Sequence, residues 1–286
     1  MEINMTDFMG DIGKIVSINL RRRAANPRFY LALLLTLCTV LIYFGQLTNY
    51  LSQYEVKIQA VELFIFAISS LGPQWMLTFC FLLLVGDAPF LHEGIEILMS
   101  RTDKKRWLRA QIIAMVCTIV FWLLFFELCI LFITAGYVIY RNEWSDYVSL
   151  VAKLAVDAGK LGWNVNASVL PLTQGKPFTL FAIAFLYMVL LFVYFAMIGI
   201  VINLLSGRSY GSCIVVVFLA LRFALFNLLY VPELILVSPA NLIDLTVQNI
   251  EPPMFIYTVL FFVAQIMILI WAAEQILKRR DICKLR

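Results

Sequence analysis

"FTLFAIAFLYMVLLFVYFAMIGIVINLL", from Phe178 to Leu205, contains no charged residue over its whole length. A spanning helix needs about 20 mostly apolar residues, because each residue rises about 1.5 Å and a bilayer's hydrocarbon core is about 30 Å thick. The run is too long and too continuous for a half-buried strand. A membrane barrel would show short segments of alternating character instead. The stretch therefore predicts a transmembrane helix.

Five further segments read the same way, at about 29–47, 63–86, 110–139, 211–231 and 254–274. Composition agrees with them. Of 286 residues, 63% are hydrophobic and 14% charged, where a soluble domain carries roughly 25% charged residues. Such a chain cannot cover itself with a polar surface. The expected fold class is all-α, a polytopic membrane protein with six transmembrane helices. Gly72-Pro73 lies inside the second span and predicts a kink there.

The distribution of bases predicts the orientation. Lys14, Arg21, Arg22, Arg23 and Arg28 precede the first span, and Arg101, Lys104, Lys105, Arg106 and Arg109 separate spans two and three. Arg208 lies between spans four and five, and Lys278, Arg279, Arg280, Lys284 and Arg286 follow the last span. The alternate loops hold only Lys57, Arg141, Lys153, Lys160 and Lys176. The positive-inside rule places both termini in the cytoplasm, as an even number of spans requires. Apolar residues do not run together until about Phe29, so the N-terminus reads as a retained first helix and not as a cleavable signal.

The connections differ in character. Residues 1–28 form a region of their own. In "DFMGDIGKIVSINLRRR", Phe8, Ile12, Ile15 and Val16 recur at helical spacing, and arginines close the segment. It predicts an amphipathic helix in the inner interface, with Arg21–Arg23 on anionic headgroups. Residues 29–286 hold the six spans, a cytoplasmic loop at 87–107, an external loop at 141–177 and an apolar external segment at 232–253. The 141–177 loop has Val148, Val151, Leu154 and Ala155 at helical spacing and predicts a short external helix. The 232–253 segment is broken by Pro232, Pro239, Pro252 and Pro253, which suits re-entrant structure buried against protein. Between spans four and five lies only the tight turn "SGRSYG".

Several kinds of chemistry find no residues to carry them. The nearest thing to a phosphate-binding G-x-x-x-x-G-K-[ST] is "DAGKLG" around Lys160, which lacks the first Gly and the Ser/Thr after Lys. His92 is the only histidine, and none of the six cysteines forms a C-x-x-C pair, so no metal ligand set assembles at normal spacing. The cysteines read as small buried hydrophobes, with no disulfide framework. No base-rich stripe with interleaved aromatics suggests nucleic acid. The sequon Asn166-Ala167-Ser168 reads as chance. Two charges fall inside spans, Glu127 in the third and Arg222 in the fifth. Such groups are costly there. They read either as an ion pair or polar lining of a path, or as a structural contact with Arg222 snorkelling.

The loop between spans two and three is different. "HEGIEILMSRTDKKRW", His92 to Trp107, places Ile95, Leu98 and Met99 on one helical face, with Glu93 and Glu96 near the start, where acids suit the helix dipole. It predicts a short cytoplasmic helix with a small apolar face, tied at both ends to spans and able to pass a push from a partner into two membrane helices.

These residues resemble the cytoplasmic coupling segment of type-2 ABC exporter permeases. The resemblance is carried by Glu93, Gly94, Ile95, Glu96, Leu98, Met99, Ser100 and Arg101, followed by the basic Lys104–Arg106; Thr102 stands where the family usually has Pro. The N-terminal interfacial helix, six spans, broken apolar loop and basic tail "LKRRDICKLR" are similar as well. The resemblance implies a plasma-membrane exporter subunit that pairs with a second copy or a paralogue and contacts membrane lipids. It also implies docking, through these residues, to cytoplasmic ABC ATPase subunits that bind ATP and Mg. The chain itself would hold no cofactor and would not be an enzyme. The cargo class it favours is a peptide antibiotic or drug, with lipid or glycan as alternatives. An ion-coupled secondary transporter or channel is the alternative reading.

Overall fold

A computed structural model describes residues 5–86, 88–89, 103–154, 169–208, 210–223, 239, 241–245 and 252–279. The chain is mostly helical, and four helices are long and apolar enough to cross a membrane. In chain order the elements are α1 (Met5–Ala24), α2 (Pro27–Tyr54), β1 (Ile58–Gln59), α3 (Glu62–Ser69), α4 (Leu71–Val85) and α5 (Lys104–Ile133). After these come β2 (Val138–Ile139), α6 (Asp146–Leu154), α7 (Leu170–Gln174), α8 (Pro177–Ser206), α9 (Gly211–Phe223) and α10 (Pro252–Arg279). The four long apolar helices are α2, α5, α8 and α10.

Local chemistry sets the helix ends. Asn26 caps α2, its Oδ1 accepting from Arg28 N at 3.0 Å, and Pro27 opens the helix, where a missing N–H costs nothing. Pro177 opens α8 in the same way. At the far end of α8, Gly207 takes φ 69° and its N–H donates to Asn203 O at 2.9 Å. Only glycine adopts that left-handed cap without strain.

The second predicted span is not one helix. α3 and α4 meet at Ser70 with a bend of 86°. Pro73 explains where the break falls. It has no N–H to offer Ser69 O four residues back, and its ring clashes with that carbonyl. Helix α3 therefore ends at Ser69, and Pro73 sits in the first turn of α4, where it is tolerated. Side chains take up backbone groups around the break: Ser69 Oγ donates to Ile65 O at 3.0 Å and Ser70 Oγ to Phe66 O at 2.8 Å, while Gln74 Nε2 donates to Ile68 O. Every residue of α3 is buried. Non-helical backbone at membrane depth survives only when enclosed by protein in this way. With the bent pair counted as one crossing, five spans are described. The segment predicted as span five is described only as α9.

The core lies where α2, α4, α5 and α8 meet. Phe192 stacks on Phe81 at 4.7 Å and meets Trp122 edge-on at 5.1 Å. Trp122 Nε1 donates to Thr36 Oγ1 at 2.8 Å, so its one polar atom is satisfied inside the apolar core. Phe64 of α3 packs among Phe126, Phe181 and Phe185. Helix α8 is the most enclosed span and α10 the most peripheral, with Leu260, Met267 and Trp271 turned outward.

Ring pairs fix the direction of packing. Tyr187 meets Phe255 and Tyr194 meets Phe262, so α8 and α10 advance in parallel. Their C-terminal ends share one end of the molecule. The N-terminus of α5 lies there too, because Lys104 Nζ donates to Leu277 O at 3.2 Å. At the opposite end, β1 and β2 pair in parallel, with Ile58 opposite Val138 and Gln59 opposite Ile139. Trp144 Nε1 donates to Gly175 O at 2.9 Å and Gln59 Nε2 to Arg141 O at 3.0 Å, which ties that end together. Within the 141–177 segment lies a short helix, α6.

The turn between α8 and α9 leaves no room at Gly211. A Cβ added there would stand 2.5 Å from Gly199 Cα and 2.6 Å from Gly199 O. A Cβ on Gly199 would meet nothing within 4 Å. Gly211→Ala is expected to cost about 1–3 kcal/mol, because backbone must shift to admit it. Gly199→Ala is expected to leave stability unchanged or slightly raised, since Ala is the better helix former. Thermal unfolding of the two variants in detergent checks this, and equal melting temperatures would refute the close crossing.

Candidate functional site

Among the described residues, Lys104, Lys105, Arg106, Arg109, Arg208, Lys278 and Arg279 belong to the end of the bundle where α4, α8 and α10 finish and α5 and α9 begin. Lys57, Arg141 and Lys176 belong to the other end. Three helix junctions at the basic end have defined geometry.

The first joins α5 to α10. Three cations in the first turn of α5 stand at the positive end of a helix dipole, which is unfavourable in isolation. The structure offsets this by setting that turn beside the negative C-terminal end of α10. Lys104 Nζ reaches the Leu277 carbonyl, and Glu274 lies 3.9 Å from both Lys105 Nζ and Arg109 Nη2. The two bases are about half exposed, so each ion pair contributes at most about 1 kcal/mol. Their effect is to set the register between the two helices. Asp103 is the N-cap residue of α5, with Trp107 N donating to its carbonyl at 3.0 Å.

The second junction is α1 against α5. Ile15, Asn19 and Arg23 recur every fourth residue and are the buried positions among the described side chains of α1. Arg23 Nη1 donates to Thr118 Oγ1 at 2.7 Å and to Ala114 O at 3.2 Å. Burial pulls its guanidinium down to about 10, so it remains charged at neutral pH. This corrects one expectation. Arg21 and Arg22 are exposed and free to face headgroups, but Arg23 is turned into protein. Adjacency in sequence groups it with Arg21 and Arg22, but helical spacing places it on the face of Ile15.

The third junction gathers the exit of α4, the end of α8 and the start of α9 around Asn203. Its Nδ2 donates to Ala88 O at 2.6 Å and to Gly86 O at 3.3 Å, and its Oδ1 accepts from Gly211 N at 2.7 Å. Asn203 was not singled out in the sequence. Its only signal was an amide four residues before the glycine that ends a long apolar run.

The expected docking residues Glu93, Gly94, Ile95, Glu96, Leu98, Met99, Ser100 and Arg101 lie outside the described residues, as does His92. Their flanks do not. Ala88 and Asp103, on either side, both belong to the basic end. Glu127 lies in α5, buried, with no hydrogen-bond partner for either carboxylate oxygen among the described residues. Arg222 lies in α9, and its side chain is outside the described residues. Of the expected re-entrant segment at 232–253, Pro239 and Asn241–Leu245 are described and buried, and Pro252 and Pro253 open α10. Among the described residues, no cluster of three His, Cys, Asp or Glu side chains is placed to hold a metal ion.

One carboxylate that the sequence reading passed over is Glu62, the first residue of α3. It is fully buried at the end opposite the bases, where its two oxygens accept from Ser145 and Gln59. Comparison with family models, with curated proteins and with solved structures returns no match.

Proposed function

We propose that this chain is the membrane subunit of an ATP-driven exporter of the type-2 ABC class. In this reading a separate cytoplasmic ATPase docks on residues 93–101 and drives an amphipathic cargo outward. The observation that carries the proposal is the position of that segment's flanks. Ala88 and Asp103 both lie at the end of a helical membrane protein where the bases gather. By the positive-inside rule that end faces the cytoplasm. The reading further takes six spans, both termini cytoplasmic, a location in the plasma membrane and assembly with a second copy or a paralogue. A peptide antibiotic or drug is the favoured cargo class, and ATP with Mg belongs to the partner.

One observation favours the second reading, an ion-coupled carrier or channel. Glu127 is a buried carboxyl in the span α5, and such groups commonly mark ion paths. The two readings separate in one experiment. Solubilised from its native membrane, the tagged chain is expected to retain an ATPase, and reconstituted vesicles are expected to transport only with ATP. Recovery of no ATPase, with transport driven by an ion gradient alone, would replace the exporter by the carrier.

A further inference from the structure

We infer that Asn203 is a positioning residue that makes the exit of α4 and the α8–α9 turn move as one body. The inference rests on the exporter reading for its functional meaning and on described geometry for its substance.

The side chain of Asn203 makes three hydrogen bonds, to two other segments. Two donor contacts go to the carbonyls of Gly86 and Ala88, just past the last turn of α4. One acceptor contact takes the first N–H of α9, at Gly211. Its own carbonyl meanwhile accepts from Gly207 N and closes α8. Each of these backbone groups lies at a helix end, where no intrahelical partner exists for it. The amide therefore replaces water for two helix ends, the exit of α4 and the start of α9, and no other neutral side chain of its size offers donor and acceptor together in this way.

The surroundings make this link stiff. Asn203 is buried. Gly211 rests against the backbone of Gly199, so α9 cannot slide toward α8. The turn between the two helices is short and holds its own contacts, Ser206 Oγ to Arg208 O at 2.8 Å and Arg208 Nη1 to Tyr210 OH at 2.9 Å. A displacement that enters the chain at Ala88 thus reaches the central span α8 and the start of α9 together. On the other side of the docking segment, Glu274 and Leu277 give α5 a hold on α10. That hold is made of half-exposed ion pairs and one carbonyl contact, so it is the weaker of the two. The buried amide is the stronger route inward.

Two variants separate its contacts. Asn203→Ala removes all three side-chain bonds. Asn203→Asp keeps an acceptor for Gly211 N but sets a carboxylate against the carbonyls of Gly86 and Ala88. Ser206→Ala, which loses only contacts inside the turn, is the control. In vesicles holding the complex with its ATPase, both Asn203 variants are expected to bind the ATPase and hydrolyse ATP. Cargo moved per ATP is expected to fall on the order of tenfold or more, within the range of ordinary coupling between sites, while Ser206→Ala keeps the wild-type ratio. A wild-type ratio in both Asn203 variants would overturn the inference.

A second arm needs no partner. Spin labels at Phe79→Cys on α4 and Leu205→Cys on α8, with the exposed Cys117 and Cys213 replaced, report the α4–α8 distance in nanodiscs. One narrow distribution is expected with Asn203 and a broadened one in either variant. Unchanged narrow distributions in both would overturn the link by themselves. If the wild-type chain binds no ATPase, the exporter reading fails, and the distance measurement still decides the link.

Discussion

Glu96→Arg is expected to leave the chain inserted in the membrane and to abolish ATP-driven export. In the proposed docking, a helix over Glu93 to Arg101 would offer the ATPase one small apolar face, Ile95 with Leu98 and Met99, framed by Glu93 and Glu96. A docking surface of that size has little apolar area to spare, so its charges decide orientation and partner choice. In the proposed docking Glu96 meets a base of the ATPase, so placing a base there sets like charges together across the contact, which costs several kcal/mol. About 3 kcal/mol corresponds to roughly a hundredfold weaker hold on the ATPase. Insertion is not threatened, because the change lies outside the apolar segments and adds positive charge to a loop on the base-rich side. Gly94→Pro acts by another route. It removes an N–H and restricts the backbone at the start of the expected helix without changing charge. Binding measured between purified chains, with ATP hydrolysis and cargo movement measured separately in vesicles, distinguishes lost docking from lost coupling. Normal transport by both variants would remove residues 93–101 from the mechanism.

The apolar runs were legible because bilayer thickness imposes a length that few other structures share. Phe178–Leu205 predicted α8 with its ends nearly in place, since Pro177 and Gly207 punctuate it. What periodicity could not show is direction. Residues 63–86 are mostly apolar and carry no charge, and hydropathy reads them as one crossing, yet Pro73 turns α3 away from α4 by 86°. The Gly-Pro pair signalled a kink, but its size depends on the packing of Phe64 and Phe66 into α5, α8 and the outer loop, which are distant in sequence. Polar residues posed the converse difficulty. Arg23, Glu62 and Asn203 stand at the margins of apolar runs, where hydropathy expects exposed groups. Each is instead buried against backbone from another segment. Their partners lie 91, 83 and 115 residues away, beyond the reach of any local pattern.

Glu62 shows how much depends on one such margin residue, and its replacement is expected to be the most destabilising single change outside the apolar core. Oε1 accepts from Ser145 N at 2.5 Å, and Oε2 accepts from Ser145 Oγ at 2.6 Å and from Gln59 N at 3.1 Å. Every donor belongs to a buried residue. Glu62→Ala orphans two backbone N–H groups, at about 1–3 kcal/mol each, so a loss of roughly 4 kcal/mol is expected. Glu62→Gln is the sharper test. With its oxygen toward Ser145 N, its amide nitrogen faces Gln59 N; with its oxygen toward Gln59 N, it faces Ser145 N. The Ser145 hydroxyl can turn to accept from the amide, but one backbone donor meets a donor in either orientation. The expected loss is therefore about half that of Ala, roughly 2 kcal/mol. Thermal unfolding in detergent gives the order wild type, Gln, Ala, and equal stability of Gln and wild type would show that the carboxylate is not the acceptor the geometry requires. Ser145→Ala adds a second measure. Ser145 Oγ also accepts from Val148 N at 3.2 Å in the first turn of α6, so its loss loosens the outer loop as well as the carboxylate. Because α3 is buried on every side and held at its start by this one cluster, loosening at Glu62 should appear first as protease sensitivity between Arg141 and Leu154, before the spans themselves unfold.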